Sequence, residues 1–381
     1  MRIVHTSLRY PPALGGAENY IRDLVEYSRD LPTHPDVRVL TSKLRTHGPI
    51  TTLPPESLMN DPLYVQRLHH LPTPFISYPQ LQALPYYLQH HQPDIIHSYG
   101  YWYQPADISA RYARQHNIPF IFHPIYYTNA IRQKPVWRLY NHTIGRRTFA
   151  AADITVVISP FEQSIIESAG YPVKQFFLLP PPIDVKRFVD PLPNPYLKLG
   201  LTSPIILSIG RLAQAKGFQD IARIMPTILK EIPAHLVIIG DDFGYQAQLN
   251  HLIDSFGLRA HVHLINSVSD LDLPSYYQHA DMYVHASHYE AFGITVAEAS
   301  AAALPVVAPK ATAIPFVAPH EKSGLLFSSP AELTDHTLTL LHDRSLRKRY
   351  GISGQKHINQ NFSPEITKKK MAALYGQLAS S

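Results

Sequence analysis

The sequence predicts an α/β protein made of two doubly wound parallel-sheet domains in tandem, each with helices on both faces of its sheet. Two series of short apolar segments alternate with segments of helical periodicity, and a proline-rich stretch separates the series. The chain has 381 residues. At roughly 150 residues per domain this length suggests two to three units, of which two is the simpler interpretation.

The first series contains five short segments that are apolar on both faces, as expected for strands of a parallel sheet covered by helices. They are residues 2–7, 37–42, 94–99, 119–124 and 154–159. Residues 17–28 and 104–116 lie between strands and have helical periodicity. We therefore expect an N-terminal domain over residues 1–183.

Residues 184–204 contain four prolines and no clear periodicity, which predicts a linker. A second series of strand-like segments follows, beginning at Ile205, His235, Val262, Met282 and Pro305. These predict a second domain over residues 205–362. The tail, residues 363–381, is expected to form a helix that can pack back on the first domain. Because open parallel sheets bind ligands at the carboxyl ends of their strands, we expect the ligand cleft between the domains.

The composition excludes several classes of function. The chain has no cysteine, so it cannot contain disulfides, thiolate metal sites or a cysteine nucleophile. Its first residues lack the apolar core of a signal peptide, and no run approaches 18 apolar residues. We therefore expect a cytoplasmic protein, at most peripheral on the inner face of the cell membrane.

Basic residues are concentrated in the first part of the chain. The net charge is +5, and residues 1–150 hold 15 Lys and Arg against 9 Asp and Glu. A basic cluster with interleaved aromatic residues comprises Arg132, Lys134, Trp137, Arg138, Tyr140, Arg146 and Arg147. Such a cluster suits an anionic membrane surface or an anionic substrate, and a solvated helix face explains it equally well. No motif of a nucleic-acid-binding module is present, so nucleic acid is not an expected partner.

Glycines follow several predicted strands. Gly15 and Gly16 lie where the first strand leads into a helix, and main-chain amides at such a point can approach a phosphate. Gly210 and Gly240 end two strands of the second domain and leave room for a ligand. Each of these positions is explained as well by an ordinary tight turn.

Two cations and a histidine occupy comparable positions. Arg211 and Lys216 lie in the loop after Gly210 and can clamp a diphosphate through charge-assisted hydrogen bonds, although a solvated surface loop also fits. His123 ends a strand of the first domain, where a structural role and a catalytic role are both open.

Two glutamates bracket a Phe-Gly pair in the apolar stretch "SHYEAFGITVAEASAAALPVVA". Glu290 is predicted in a loop, and Glu298 in a helix that begins near Ile294. A helix turns roughly 800° over eight residues, so one helix would not place both acids on one face. A loop acid suits sugar hydroxyls and a helical acid suits a ribose diol, whereas a helix cap and a favourable helix-dipole contact are the structural alternatives.

Together these segments resemble retaining glycosyltransferases of family 4. The resemblance is carried by "GGAE", "GRLAQAKG", "YYQHADMYVHAS" and above all "EAFGITVAE", and it runs in order through nearly the whole chain. It implies the GT-B fold, in which two Rossmann-like domains face an interdomain cleft. The N-terminal domain would bind the acceptor and the C-terminal domain the nucleotide-sugar.

The resemblance also implies an activity and a set of site residues. A hexosyl group would pass from a UDP- or GDP-sugar to a saccharide or lipid-linked acceptor with retention of configuration, with no cofactor and no metal. The implied catalytic residues are His123, Arg211, Lys216 and Glu290. The implied donor-binding residues are Gly15, Gly16, Gly210, Gly240, Val268, Ala291, Phe292, Gly293, Ile294 and Glu298.

Three positions depart from the family pattern and bear on the identity of the donor. Phe316 stands where the family often has a glutamate, and Asn266 stands where a glycine is frequent. The segment "PPPID" lacks the usual Asn-Gly before Asp184.

Other functions fit parts of the sequence. A sugar-nucleotide 2-epimerase would share the architecture, and a non-catalytic nucleotide-sugar-binding protein would share the site. Zinc is a weaker alternative, since the pairs His261/His263 and His285/His288 imply no third ligand. Aromatic residues at 86–87, 99–103 and 126–127 can stack on sugar rings or support a lipid tail, and core positions explain them equally well. The basic excess of residues 1–150 suggests a membrane-borne acceptor.

Overall fold

The computed structural model of the chain describes residues 1–13, 15–45, 51–59, 61–73, 78–126, 135–202 and 204–379. The chain divides into two compact units. The first comprises Met1–Pro182 and Glu365–Ser381, and the second comprises Ile183–Pro364.

The first unit is built on a seven-stranded sheet in which every neighbouring pair is parallel, in the order β3-β2-β1-β6-β7-β8-β9. Two further short strands, β4 and β5, form an antiparallel pair. The strands are β1 Arg2–Thr6, β2 Asp36–Ser42, β3 Val65–Leu68, β4 His70–Leu71, β5 Gln80–Leu81, β6 Ile95–Tyr99, β7 Phe120–His123, β8 Ile154–Val157 and β9 Phe176–Leu178.

Helices cover this sheet, and its central strands β1, β6 and β7 are buried along almost their whole length. The helices are α1 Gly16–Arg29, α2 Pro55–Leu58, α3 Leu84–His91, α4 Gln104–His116, α5 Pro135–Tyr140, α6 Arg146–Ala151 and α7 Pro160–Ser168, with a π-helical turn, Asn141–Gly145, between α5 and α6. At the start of α7 the Ser159 side chain accepts a hydrogen bond from the Glu162 amide, as expected of a helix N-cap.

The second unit contains a six-stranded parallel sheet in the order β12-β11-β10-β13-β14-β15. Its strands are β10 Ile205–Ile209, β11 His235–Ile239, β12 Val262–Ile265, β13 Met282–Val284, β14 Val306–Pro309 and β15 Gly324–Phe327. Its helices are α8 Phe218–Ile228, α9 Gln246–Ser255, α10 Leu273–His279, α11 Ile294–Ala301, α12 Ile314–Val317, α13 Pro330–His342 and α14 Arg344–Phe362. Both sheets confirm the predicted parallel α/β architecture.

The C-terminal helix, α15 Pro364–Ala379, packs on the first unit through Tyr375. The Tyr375 hydroxyl lies 2.8 Å from His97 Nδ1 and 3.2 Å from Ser28 Oγ. Among the described residues, no helix is both long enough and apolar enough to cross a membrane.

The predicted linker, residues 184–204, belongs to the second unit, so this prediction needs correction. It contains two 3-10 helices, Val185–Phe188 and Pro195–Leu199, and its Phe188 and Tyr196 side chains are buried. Tyr196 donates to the Tyr276 carbonyl on α10, 2.8 Å away. Prolines interrupt the periodicity here while aromatic anchors fix the segment to the sheet's helices, and the proline count alone does not reveal those anchors.

Candidate functional site

The candidate site of the second unit lies at the carboxyl ends of β11, β10 and β13, which are adjacent in the sheet. Three loops meet there: residues 210–217 after β10, residues 240–245 after β11, and residues 285–293 after β13. Each loop leads into a helix, which places helix N-termini along the same edge.

Glycines allow these loops to approach each other closely. A Cβ atom on Gly240 would lie 1.9 Å from the Gly210 carbonyl oxygen, and one on Gly217 would lie 1.9 Å from that of Ala286. Gly217 also has a φ of +71°, a left-handed conformation that favours glycine. The Lys216 stem runs over Gly210, where a Cβ atom would be 3.8 Å from Lys216 Cδ. The glycines thus bring the loops after β10, β11 and β13 into contact.

Lys216 and Glu290 form an ion pair at the centre of this arrangement. Lys216 Nζ donates to Glu290 Oε1 over 2.6 Å, and His285 Nε2 lies 3.2 Å from the same oxygen. The Glu290 side chain is 14% exposed. No described residue contacts Oε2 at hydrogen-bonding distance, so Lys216 holds one carboxylate oxygen, with His285 close to it, while the other oxygen is available to a ligand.

The environment of Glu290 keeps it ionised. Burial acts to raise its pKa, but the close contact with His285 and the Lys216 charge outweigh burial and lower the pKa to about 2. Glu290 is therefore a carboxylate at neutral pH, and a carboxylate oxygen is a strong acceptor for sugar hydroxyl groups.

Arg211 is exposed and, among the described residues, lies within ion-pairing distance of no carboxylate. Its guanidinium carbon lies 5.0 Å from the centre of the Phe243 ring. The two cations of the site therefore differ: Lys216 is partly neutralised by Glu290, whereas the guanidinium of Arg211 rests on an aromatic ring.

The N-terminus of α11 borders Glu290. Gly293, with a φ of +95°, is its N-cap, and a Cβ atom there would lie 2.9 Å from the Ile314 side chain. The amides of Phe292, Gly293 and Ile294 donate to no described group. Unpaired amides at a helix N-terminus favour a negatively charged or oxygen-rich ligand.

Glu298 projects from α11 in a separate environment. The Tyr277 hydroxyl donates to Glu298 Oε2 over 3.0 Å, and Arg187 Nη1 lies 3.9 Å from Oε1. Burial raises the pKa of Glu298, and the Tyr277 hydrogen bond and the Arg187 charge act in the opposite direction. The predicted separation into a loop acid and a helical acid is confirmed, and neither acid serves as the N-cap of α11.

The remaining predicted residues of this unit occupy the edges of the site. Val268 is half-buried in the loop after β12, and Ala291 is half-buried beside Glu290. Phe316, at the position where the family often has an acid, packs on Phe362 in an aromatic cluster with Phe292; the ring centres of Phe316 and Phe362 are 5.2 Å apart. That cluster explains structurally why an apolar residue is accommodated at position 316.

His123 lies in the first unit, at the end of β7, in a row of buried aromatic side chains. Its ring centre is 5.9 Å from that of His97 and 5.2 Å from that of Tyr20. Neither ring nitrogen of His123 has a hydrogen-bond partner among the described residues. Burial lowers the pKa of His123 to about 3, so the ring is neutral at physiological pH and can donate or accept a hydrogen bond.

Gly15 and Gly16 begin α1 in the same unit. A Cβ atom on Gly15 would lie 2.1 Å from Glu18 Oε2, so a larger residue there would displace this carboxylate. Glu18 is buried and pairs with Arg9 over 2.8 Å. The predicted glycine turn is thus braced by an internal ion pair, a feature that the motif "GGAE" alone did not indicate.

Sequence comparisons place both units in glycosyltransferase families. Residues 15–182 match the model of the glycosyl transferase 4-like domain, and residues 197–357 match that of glycosyl transferases group 1. Together the two models cover most of the chain, in the order of its units. The chain belongs to the group 1 glycosyltransferases.

Curated relatives of this glycosyltransferase include two enzymes that are each 28% identical to it. Mannosylfructose-phosphate synthase of Agrobacterium fabrum matches over 53% of this chain and 47% of its own length. The GDP-mannose-dependent alpha-(1-6)-phosphatidylinositol monomannoside mannosyltransferase of Mycobacterium tuberculosis matches over 60% of this chain and 63% of its own length. The matches therefore cover about half to two thirds of these relatives.

Solved structures share the whole fold. Sucrose-phosphate synthase from Thermosynechococcus elongatus superposes with a TM-score of 0.79 at 22% identity, covering 100% of both chains. HepE from Anabaena, solved in complex with UDP, gives a TM-score of 0.81 at 18% identity and covers 99% of this chain and 100% of its own. The predicted GT-B fold is confirmed.

The structure brings together Lys216, Glu290 and the α11 amides, with Arg211 in the same loop as Lys216. It also identifies residues that sequence reasoning missed as site partners: His285, Tyr277, Arg187 and Phe243. His285 was considered only as a zinc ligand. Among the described residues, no group of three or more His, Cys, Asp or Glu side chains is arranged to hold a metal ion.

Proposed function

We propose that this glycosyltransferase moves a hexosyl group from a UDP- or GDP-sugar to a saccharide or lipid-linked acceptor, with retention of configuration at the anomeric carbon. The observation that carries the proposal is the divided environment of Glu290. Lys216 holds Oε1, with His285 Nε2 3.2 Å from the same oxygen, which leaves Oε2 to accept hydrogen bonds from the hydroxyl groups of the transferred sugar.

Arg211 and Lys216 supply positive charge for the departing diphosphate. In the reaction the bond between the anomeric carbon and the phosphate oxygen breaks, and the acceptor oxygen forms a bond to the same carbon. The acceptor proton passes to the leaving phosphate. Negative charge grows on that phosphate in the transition state, where two fixed cations are most effective. We therefore propose that the reaction needs neither a metal ion nor a cofactor.

The other predicted residues have supporting roles in this proposal. Glu298, held by Tyr277, binds the ribose hydroxyls, and the main chain near Val268 meets the base. The amides of Phe292, Gly293 and Ile294, with Ala291, surround the sugar or its phosphate. Gly210 and Gly240 keep the loops close enough to form the site.

In the first unit, Gly15 and Gly16 contact the diphosphate, and the neutral ring of His123 contacts the transferred sugar. We propose these as contributions of the acceptor-binding domain. The names of similar proteins support both donor classes: one relative is named as GDP-mannose-dependent, and HepE was solved with UDP-glucose.

Donor and acceptor screening tests this function. Purified protein is incubated with UDP-, GDP- and ADP-hexoses in the presence of a chelator, and nucleoside diphosphate release is measured with and without mono- and disaccharide acceptors. We expect release from one donor class, stimulated by an acceptor, and a product with the donor's anomeric configuration by NMR. Free-nucleotide release that no acceptor increases, together with 2-epimerised sugar, would instead identify an epimerase.

We propose more specifically that the acceptor is held at a membrane. The helical segment from α5 to α6 exposes Arg138, Leu139, His142 and Arg146 at helical spacing, so basic and apolar groups share one face. The Leu139 side chain is 66% exposed. Arg132 and Lys134 of the predicted basic cluster lie outside the described residues.

Flotation with liposomes tests this proposal. We expect more protein to float with phosphatidylglycerol-containing vesicles than with neutral vesicles at low salt, and Leu139→Ser to reduce the difference. Leu197→Ser is the matched control, because Leu197 is 68% exposed in the second unit. Equal recovery with neutral and anionic vesicles contradicts a membrane-borne acceptor held through this face.

A further inference from the structure

The loops after β10 and β11 are joined beyond the ends of the strands. The Leu212 amide donates to the Asp241 carbonyl over 2.8 Å, and the Phe243 amide donates to the Leu212 carbonyl over 3.0 Å. The absence of a side chain at Gly240 lets the Gly210 carbonyl approach. These contacts fix the backbone of Phe243 relative to the backbone next to Arg211.

Asp242 fixes the other side of the same loop. Its Oδ1 atom accepts hydrogen bonds from the amides of Gly244, Tyr245 and Gln246 at 2.8, 2.9 and 3.0 Å. A carboxylate bound to three amides at the start of α9 holds the turn in one conformation. One oxygen of the Asp242 carboxylate, next to Phe243 in sequence, is therefore occupied by the backbone.

Phe243 is 54% exposed, so its ring is not buried in the apolar core of the second unit. The group that it contacts is the Arg211 guanidinium, 5.0 Å from the ring centre. A cation held over an aromatic face keeps its charge and its N–H groups, whereas a cation paired with a carboxylate loses much of both.

We propose that Phe243 is a positioning residue that orients Arg211 toward the diphosphate of the donor. The proposal rests on the proposed function, because it assigns Arg211 to the diphosphate. Lys216 is paired with the Glu290 carboxylate, whereas Arg211 contacts the Phe243 ring. The aromatic ring thus presents the second cation without neutralising it.

A double-mutant cycle tests the proposal, with UDP and GDP as probes in calorimetric titrations. The variants are Arg211→Ala, Phe243→Leu, their combination, and Phe243→Tyr. Leucine keeps an apolar side chain in the loop but removes the aromatic face, so a purely structural role for Phe243 would survive this change. Phe256→Ala is the control, because Phe256 is another exposed phenylalanine, at the end of α9.

We expect Phe243→Leu to weaken binding of the preferred nucleotide about 2- to 5-fold, the range of an exposed cation–π contact. The double variant should bind like Arg211→Ala, while Phe243→Tyr and Phe256→Ala should bind like the wild type. If Arg211→Ala weakens binding but Phe243→Leu does not, or if the two losses multiply in the double variant, the positioning role is overturned. If Arg211→Ala itself leaves the binding of both nucleotides unchanged, the proposed function fails instead.

Discussion

Lowering the pH from 7.5 to 5.5 should destabilise the first unit through its buried histidines. His5, His97 and His123 lie on three adjacent strands, and all three are fully buried. Burial lowers the pKa of His5 and of His123 to about 3, and burial together with the neighbouring histidines lowers that of His97 well below its ordinary value. In the unfolded chain these three histidines bind protons near pH 6.5, whereas in the folded chain they remain neutral at that pH. Their contribution to the free energy of unfolding is therefore full above pH 6.5 and is lost as the pH falls below it.

The size of the effect follows from proton linkage. Over these two pH units each histidine should reduce the free energy of unfolding by about 1.4 kcal/mol, and the three together by about 4 kcal/mol. Two buried acids act in the opposite direction, because burial raises the pKa of Asp107 to about 6 and of Glu162 to about 7. A raised acid pKa favours the folded state as the pH falls, by about 3 kcal/mol for the pair over this range. These five groups together leave a net loss of about 1 to 2 kcal/mol.

Tryptophan fluorescence during urea unfolding measures this loss selectively. The chain has two tryptophans, Trp102 and Trp137, and both belong to the first unit. In His123→Gln the loss between pH 7.5 and 5.5 should shrink by about 1.4 kcal/mol, because one proton-binding site of the unfolded chain is gone.

Glu162→Gln is the control of opposite sign, in which the loss should grow by about 2 kcal/mol. If His123→Gln shows the pH dependence of the wild type, His123 is not held as a buried neutral ring in the folded protein.

Three substitutions in the second unit give further predictions. Glu290→Gln should lower kcat/KM about 10- to 100-fold, the range of a lost hydrogen bond to a charged group. The affinity for the nucleoside diphosphate, measured by calorimetry, should change little. An equal loss of that affinity would contradict a sugar-binding role. Glu298→Gln should weaken UDP or GDP binding about 10-fold but leave inorganic pyrophosphate binding unchanged, and a loss of both would exclude ribose as its ligand. Gly217→Ala should destabilise the second unit in calorimetric unfolding by about 1 to 3 kcal/mol more than Gly257→Ala. Both glycines have a left-handed φ, but only Gly217 faces a backbone oxygen, so equal effects would refute the close approach.

The sequence predicted the parallel architecture because most strands are apolar, buried on both faces and separated by periodic helices. All ten predicted strands are present. Short strands such as Phe176–Leu178 and Gly324–Phe327 were missed, since three or four residues carry too little pattern to distinguish them from a loop. The number of strands in each sheet, seven and six, was therefore not predictable from the sequence.

The sequence indicated which residues belong to the candidate site, but it did not indicate which of them contact each other. Lys216 and Glu290 are 74 positions apart, and only the adjacency of β10 and β13 shows that they bond. His285 and Glu290 both lie in the loop after β13, where His285 Nε2 is 3.2 Å from Glu290 Oε1. The apolar strand pattern around His285 did not indicate this contact. Arg187 was missed because it lies in the stretch predicted as a linker.

The most direct test of the account is a crystal structure of the protein with the UDP- or GDP-sugar identified by screening. We expect diphosphate oxygens within about 3 Å of the Arg211 and Lys216 nitrogens, and a sugar hydroxyl at the same distance from Oε2 of Glu290. A nucleotide-sugar bound with its diphosphate away from both cations, or with the sugar out of reach of Glu290, would contradict it.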